Sequence, residues 1–157
     1  MSKAALNKKA PAIKLPASNG KTVTLKEFKD KKNIVLYFYP KDDTSGCTVE
    51  ACGFRDTHKN INKLDAIVLG VSPDSVVKHN KFIEKYDLPF LLLADEEKKV
   101  CDAYGVWVEK SMYGRKYMGV ARSTFIIDKS GKIVKIFEKV KPKDHAAEVI
   151  EFLKSIN

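Results

Sequence analysis

Two of the chain's three cysteines fall in one stretch, "YFYPKDDTSGCTVEACGFRD", where Cys47 and Cys52 stand five residues apart. Apolar residues stop at Pro40, a polar turn follows, and the cysteines occupy a segment able to begin a helix. A thiol in the first turn of a helix meets unpaired backbone N–H groups and the positive end of the helix dipole, and both favour the thiolate. A free thiol titrating near 8.5 is only about 3% ionised at pH 7, whereas one titrating near about 6 is roughly 90% thiolate. That roughly thirtyfold gain is worth only ~2 kcal/mol, so fast thiol chemistry also needs donors that hold a departing group. Thr44 precedes Cys47 by three residues across a tight turn. Its hydroxyl is placed either to serve as such a donor or to cap the helix by accepting from the Cys47 N–H.

The spacing of the pair restricts what it can do. Residues five apart in a helix have Cα atoms roughly 8.7 Å apart, and a disulfide wants less than about 7 Å. If both cysteines sit in the helix and must bond, at least one turn has to unwind. The pair is therefore unlike a C-x-x-C motif, whose cysteines join within one turn. A zinc site built on Cys47, Cys52 and His58 lacks a second pair at regular ligand spacing. Cys101, in "KKVCDAYGV", reads as a small buried hydrophobe on a helix. His79 and His145 lie in polar, helix-forming contexts and read as surface residues. Trp107, Tyr113 and Tyr117 surround a glycine-containing loop that has two functional readings, a pocket lining or a docking face, beside plain packing.

The elements that must position these residues alternate along the chain. "ASNGKTV" reads as a hairpin turn, because Asn-Gly readily supplies positive φ. "NIVLYFYP" is a continuous apolar run ended by proline, the pattern of a strand covered on both faces, and Ala66 to Ser72 repeats it. "STFIIDKSGKIVKIFE" gives two strands joined by a Lys-Ser-Gly turn. Helical patterns run from Thr48 to about Asn62, from Asp74 to Tyr86, and through the last segment, where Ala146, Val149, Ile150 and Leu153 share one face. Alternating strands and helices predict an α/β domain with a central mixed sheet.

The 157 residues fit one domain spanning 1–157. The net charge of +9 comes mainly from lysine mixed with acids, as in "LKEFKDKKN", so it predicts a solvated surface and no specific nucleic-acid site. The first residues lack the apolar core of a secretory signal, and no run is long enough to span a bilayer, so the expected compartment is the cytoplasm. A reducing compartment also fits an odd number of cysteines.

"YPKDDTSGCTVEAC" contains the P-x-x-x-T-x-x-C signature of peroxiredoxins, and Cys52 five positions after Cys47 resembles the Q-type, or bacterioferritin-comigratory-protein, subfamily. "YGVWVEKSMYGRKYMGVARSTFIIDKSGKI" is similar to that subfamily's second block. The resemblance implies a thioredoxin-like α/β fold and a thiol peroxidase without metal, haem or flavin. It implies that Cys47 is the peroxidatic nucleophile and Cys52 the resolving thiol, that Pro40 shields Cys47, and that Thr44 orients the peroxide. It assigns Arg122 to stabilising the thiolate and Glu50 to holding Arg122. A hydroperoxide would be the substrate, a thioredoxin-type dithiol the reductant, and the chain a monomer or weak homodimer. Ser45 departs from the subfamily's usual Thr-Pro-Gly-Cys, and loss of that proline is expected to ease opening of the first turn.

Overall fold

The computed structural model describes residues 4–156. An N-terminal hairpin pairs β1 (Lys14–Pro16) with β2 (Thr22–Thr24) around the Asn19-Gly20 turn, where Gly20 takes the positive φ of 81° expected of it. The chain then enters β3 (Asn33–Phe38), turns into α1 (Ser45–Asp56) and α2 (His58–Lys63), and returns through β4 (Ala66–Ser72). There follow α3 (Val76–Tyr86), β5 (Leu91–Ala94), α4 (Lys99–Ala103), the hairpin of β6 (Trp107–Met112) and β7 (Arg115–Val120), the strands β8 (Ser123–Ile127) and β9 (Ile133–Phe137), and α5 (His145–Ile156). Five strands form a mixed sheet in the order β5-β4-β3-β8-β9, as the alternating pattern predicts.

β3 is central, parallel to β4 and antiparallel to β8, and every one of its residues is buried. Its two-residue period divides the core. Ile34, Leu36 and Phe38 join one apolar cluster with the hairpin and α4, whereas Val35, Tyr37 and the following Tyr39 join another with Cys47, Ala51 and Phe54 of α1. Val149 and Leu153 of α5 pack in this second cluster, which is therefore the face that carries the cysteine helix.

The helix expected from Thr48 to about Asn62 is two helices. Thr57 breaks it, at φ −108° and ψ 9°, with its hydroxyl donating 2.8 Å to the Gly53 carbonyl in competition with the backbone ladder. β5, β6 and β7 have no counterpart in the sequence reading. The glycine-containing loop around Tyr113 is a two-residue hairpin, with Tyr113 and Gly114 at φ 52° and 78°. It projects from the body: Tyr113 is 99% exposed, and residues 111–118 are exposed on both faces, which removes the alternation that marks a strand. His79 and His145 are not surface residues. Both are fully buried, because each falls within the apolar face of its helix beside Phe82 or Ala146 and Val149.

Gly70 of β4 makes the close approach that this packing requires. A Cβ there would lie 2.7 Å from Leu92 Cδ2 and 2.9 Å from Tyr37 Cζ. Gly70→Ala should cost about 1–3 kcal/mol through overpacking, read as a lower urea midpoint at unchanged slope.

Candidate active site

The ladder between β3 and β8 fixes the site. Phe38 stands opposite Ser123, so one further step brings Arg122 beside Tyr39, where β3 ends and the chain turns toward α1. The Arg122 carbonyl accepts from the Val140 N–H at 3.0 Å, which ties that segment down from the other side. The side chain then reaches the first turn of α1 with both ends of its fork. Nη2 donates to Cys47 Sγ at 3.2 Å and Nη1 to Glu50 Oε1 at 2.7 Å. Cys47 and Glu50 are three apart on one helix and so share a face. Gly46 leaves room for the guanidinium, since a Cβ there would lie 3.2 Å from Nη2.

Cys47 is the third residue of α1 and is 1% exposed. The first helical bond runs from the Thr48 N–H to the Thr44 carbonyl at 2.8 Å, so the N–H groups of Ser45, Gly46 and Cys47 precede the ladder. Thr44 occupies the N-cap position with extended backbone, but its side chain makes no capping bond. The hydroxyl instead donates to the Lys41 carbonyl at 3.0 Å, closing the loop between Pro40 and the helix. The cap expected from Thr44 to the Cys47 N–H is thus absent, because the hydroxyl is turned into its own loop.

Charge in the site is balanced by burial. Burial pushes the Glu50 carboxyl up to about 7, and Arg122 opposes only part of that rise. Its Oε2 is buried without a hydrogen-bond partner, as is the Tyr37 hydroxyl. Burial opposes the charge on Arg122, but Glu50 and Cys47 outweigh it and hold the guanidinium above its ordinary value. Tyr37 lies beneath the site, where burial and then Glu50 raise its titration well above the ordinary phenol.

Cys52 lies in the same helix, half-buried, and both thiols are free. An unbroken α1 keeps them too far apart to bond. The C-terminal half of α1 is held by buried Ala51 and Phe54 and by Arg55 Nη1 donating to the Tyr86 carbonyl at 2.8 Å. In the first turn Ser45 is exposed and Val49 is 50% exposed, and the buried contacts are those of Cys47 and Glu50. Cys101 is remote in α4 and fully buried; burial, and then its hydrogen bond with Asp95, push its thiol far above the ordinary range. Among the described residues no three His, Cys, Asp or Glu side chains gather as a metal-ligand set. No helix among them is long and apolar enough to cross a membrane.

The sequence reading missed Gly46 and the two residues that anchor the loop, Asp42 and Asp43. Asp43, at φ 57°, accepts from Lys85 Nζ at 2.8 Å and from the Tyr86 hydroxyl at 2.9 Å. Acidic residues in a polar turn carry no signal of such partners. His79 did carry one, since Val76, His79, Phe82 and Tyr86 recur at helical spacing and put the histidine in an apolar stripe.

A mixed sheet flanked by helices, with a buried thiol at the start of the helix after the central strand, defines a thioredoxin-like fold of the peroxiredoxin class. The chain belongs to the AhpC/TSA family, whose sequence profile matches residues 6–136. It is 53% identical to peroxiredoxin Bcp of Bacillus subtilis over 97% of this chain and 96% of that protein. A cysteine-to-serine mutant of Xylella fastidiosa PrxQ superimposes with a TM-score of 0.92 at 34% identity, covering 99% of each chain. The bacterioferritin comigratory protein of Xanthomonas campestris, whose alkyl peroxide reduction activity has been studied in trapped intermediate and ligand complexes, gives a TM-score of 0.87 at 38% identity, covering 92% of this chain and 91% of that one. The activity of the chain is that of a thiol peroxidase.

Glu50 makes a pH signature. Its carboxyl binds a proton more readily in the folded chain than in the unfolded one, so between about 4.5 and about 7 folding takes up a proton and stability falls as pH rises. Glu50→Gln, which stays neutral, should flatten that decline in urea unfolding curves collected from pH 5 to 7.5.

Proposed function

We propose that the chain reduces hydrogen peroxide and organic hydroperoxides with Cys47 as the attacking thiolate and Cys52 as the resolving thiol. The observation that carries this reading is the Arg122 fork, which joins Cys47 Sγ to Glu50 Oε1 at the start of α1. A guanidinium at that distance favours the thiolate and afterwards the charge on the departing oxygen. The thiolate attacks the terminal oxygen, the O–O bond breaks, and the departing oxygen takes a proton and leaves as water or alcohol. Cys47 is then a sulfenic acid. Pro40 shields it from solvent, and Glu50 holds the guanidinium in place.

Thr44 acts as an acceptor in this scheme. Its hydroxyl hydrogen is engaged by the Lys41 carbonyl, which leaves oxygen lone pairs for the O–H of a hydroperoxide, while Arg122 and the first-turn N–H groups supply the donors. The first turn of α1 then unwinds, and the Cys52 thiol attacks the sulfenic sulfur and expels water, leaving a Cys47–Cys52 disulfide. A thioredoxin-type dithiol reduces that bond through a mixed disulfide. The chain works as one domain, in the cytoplasm, as a monomer or weak homodimer.

The reduced protein has three thiols. One equivalent of hydrogen peroxide should leave one free within seconds, with peptide mapping showing Cys47 joined to Cys52 and Cys101 unmodified. Three surviving thiols after minutes would overturn the reading. Cys47→Ser should abolish the reaction, Cys52→Ser should stop it at the sulfenic acid, and Cys101→Ser should leave turnover intact. Ser45 is exposed at the first helical position, which accepts proline. Ser45→Pro should slow disulfide formation without slowing the first oxidation, measured by rapid quench with thiol alkylation.

A further inference from the structure

Behind the peroxidatic loop lies a buried polar cluster that the chemistry above does not use. His79 of α3 is fully buried, and its Nδ1 lies 2.6 Å from Asp42 Oδ2. Its Nε2 lies 2.9 Å from the Leu93 carbonyl in β5. A carbonyl oxygen can only accept, so Nε2 carries a proton, and one further proton occupies the short contact between Nδ1 and the carboxylate. Asp42 Oδ1 accepts from the Tyr39 hydroxyl at 2.5 Å, and the Asp42 N–H donates to Asp74 Oδ2 at 2.6 Å. Asp42 is thus held from two directions: by Tyr39 just past the end of β3, and by Asp74 and His79 just before and within α3.

A buried carboxylate and imidazole with both carboxylate oxygens and both ring nitrogens engaged form a stiff anchor, since taking away one partner leaves the other unpaired and desolvated. Asp42 sits midway between Pro40 and Thr44, and the Thr44 hydroxyl closes on Lys41 immediately before it. The neighbouring Asp43 is held by Lys85 and Tyr86 of the same helix. The loop over Cys47 is therefore fastened along α3, on the side away from Arg122.

We propose that His79, acting through Asp42, is a positioning residue for peroxide reduction: it clamps the loop Pro40–Thr44 so that Thr44 stands over Cys47. The inference rests on the peroxidase reading of that site. His79 touches neither the thiol nor the substrate. Its effect reaches the chemistry through the placement of Thr44, where small displacements cost rate.

Two isosteric substitutions separate this role from ordinary core support. Asn places its amide where the imidazole has Nδ1, so His79→Asn can keep the donor to Asp42 and lose only the Leu93 bond. Gln places its amide near Nε2, so His79→Gln keeps the Leu93 bond and leaves Asp42 without its partner. Single-turnover oxidation of Cys47 by hydrogen peroxide would be followed by rapid quench and alkylation in the parent and both variants, with melting temperatures measured alongside. The expected result is a rate on the order of tenfold lower in His79→Gln and within about threefold of the parent in His79→Asn, with His79→Gln melting lower but both variants fully folded at the assay temperature. Equal losses in the two variants, or none in His79→Gln, would overturn the clamp. Should His79→Gln not fold, Tyr39→Phe removes only the hydroxyl from the other carboxylate oxygen. A slowing of about threefold or more would support the clamp, and the parental rate would overturn it. A parent whose Cys47 does not oxidise would instead remove the peroxidase reading, and the clamp with it.

Discussion

The contact on which the site depends is the guanidinium of Arg122 bridging Cys47 and Glu50. Two segments 75 residues apart in sequence must meet to within hydrogen-bond distance, and the β3–β8 ladder is what brings them together. Because β8 runs antiparallel to β3, its start lies where β3 ends. A register slip of one residue would turn every side chain of β8 to the opposite face and carry Arg122 away from the first turn of α1. Burial of the whole of β3 makes that register costly to change.

Around this contact the helix α1 has two unequal halves. Ala51 and Phe54 lock its C-terminal half into the core, in the cluster that also holds Ala146, Val149 and Leu153 of α5. The first turn is held by Cys47 in the same apolar cluster, by the contacts to Arg122 and by the loop before it. A fold whose stability is spread unevenly in this way can open one turn without opening the rest. Glu50 sits at the boundary, and its burial leaves the proton loosely held near neutral pH, so the charge opposite Arg122 is set by burial as much as by the ion pair.

The cysteine helix, the buried strand before it and the Thr44–Cys47 spacing were legible in the sequence because each is a local pattern: an apolar run, a proline stop, a polar turn. The strands β4, β8 and β9 were legible for the same reason. The β6–β7 hairpin was not, since a ribbon exposed on both faces has no hydrophobic alternation to read. The break at Thr57 was hidden because a threonine hydroxyl bonding a carbonyl four residues back requires no unusual residue. His79 and His145 were misread from the charges beside them, although their helical spacing placed them inward.

By itself the sequence determined that two cysteines follow the buried strand and how far apart an unbroken helix holds them, because those follow from chain order and helix geometry alone. It also determined the class of fold, through alternating apolar runs and amphipathic segments. Only the tertiary structure decided that the Arg122 guanidinium donates to Glu50 Oε1 and Cys47 Sγ, which way the Thr44 hydroxyl points, and that Asp42 meets His79 across 37 residues of chain. Such contacts depend on how the elements pack side by side, and residue spacing carries no information about that where the partners are polar and distant along the chain.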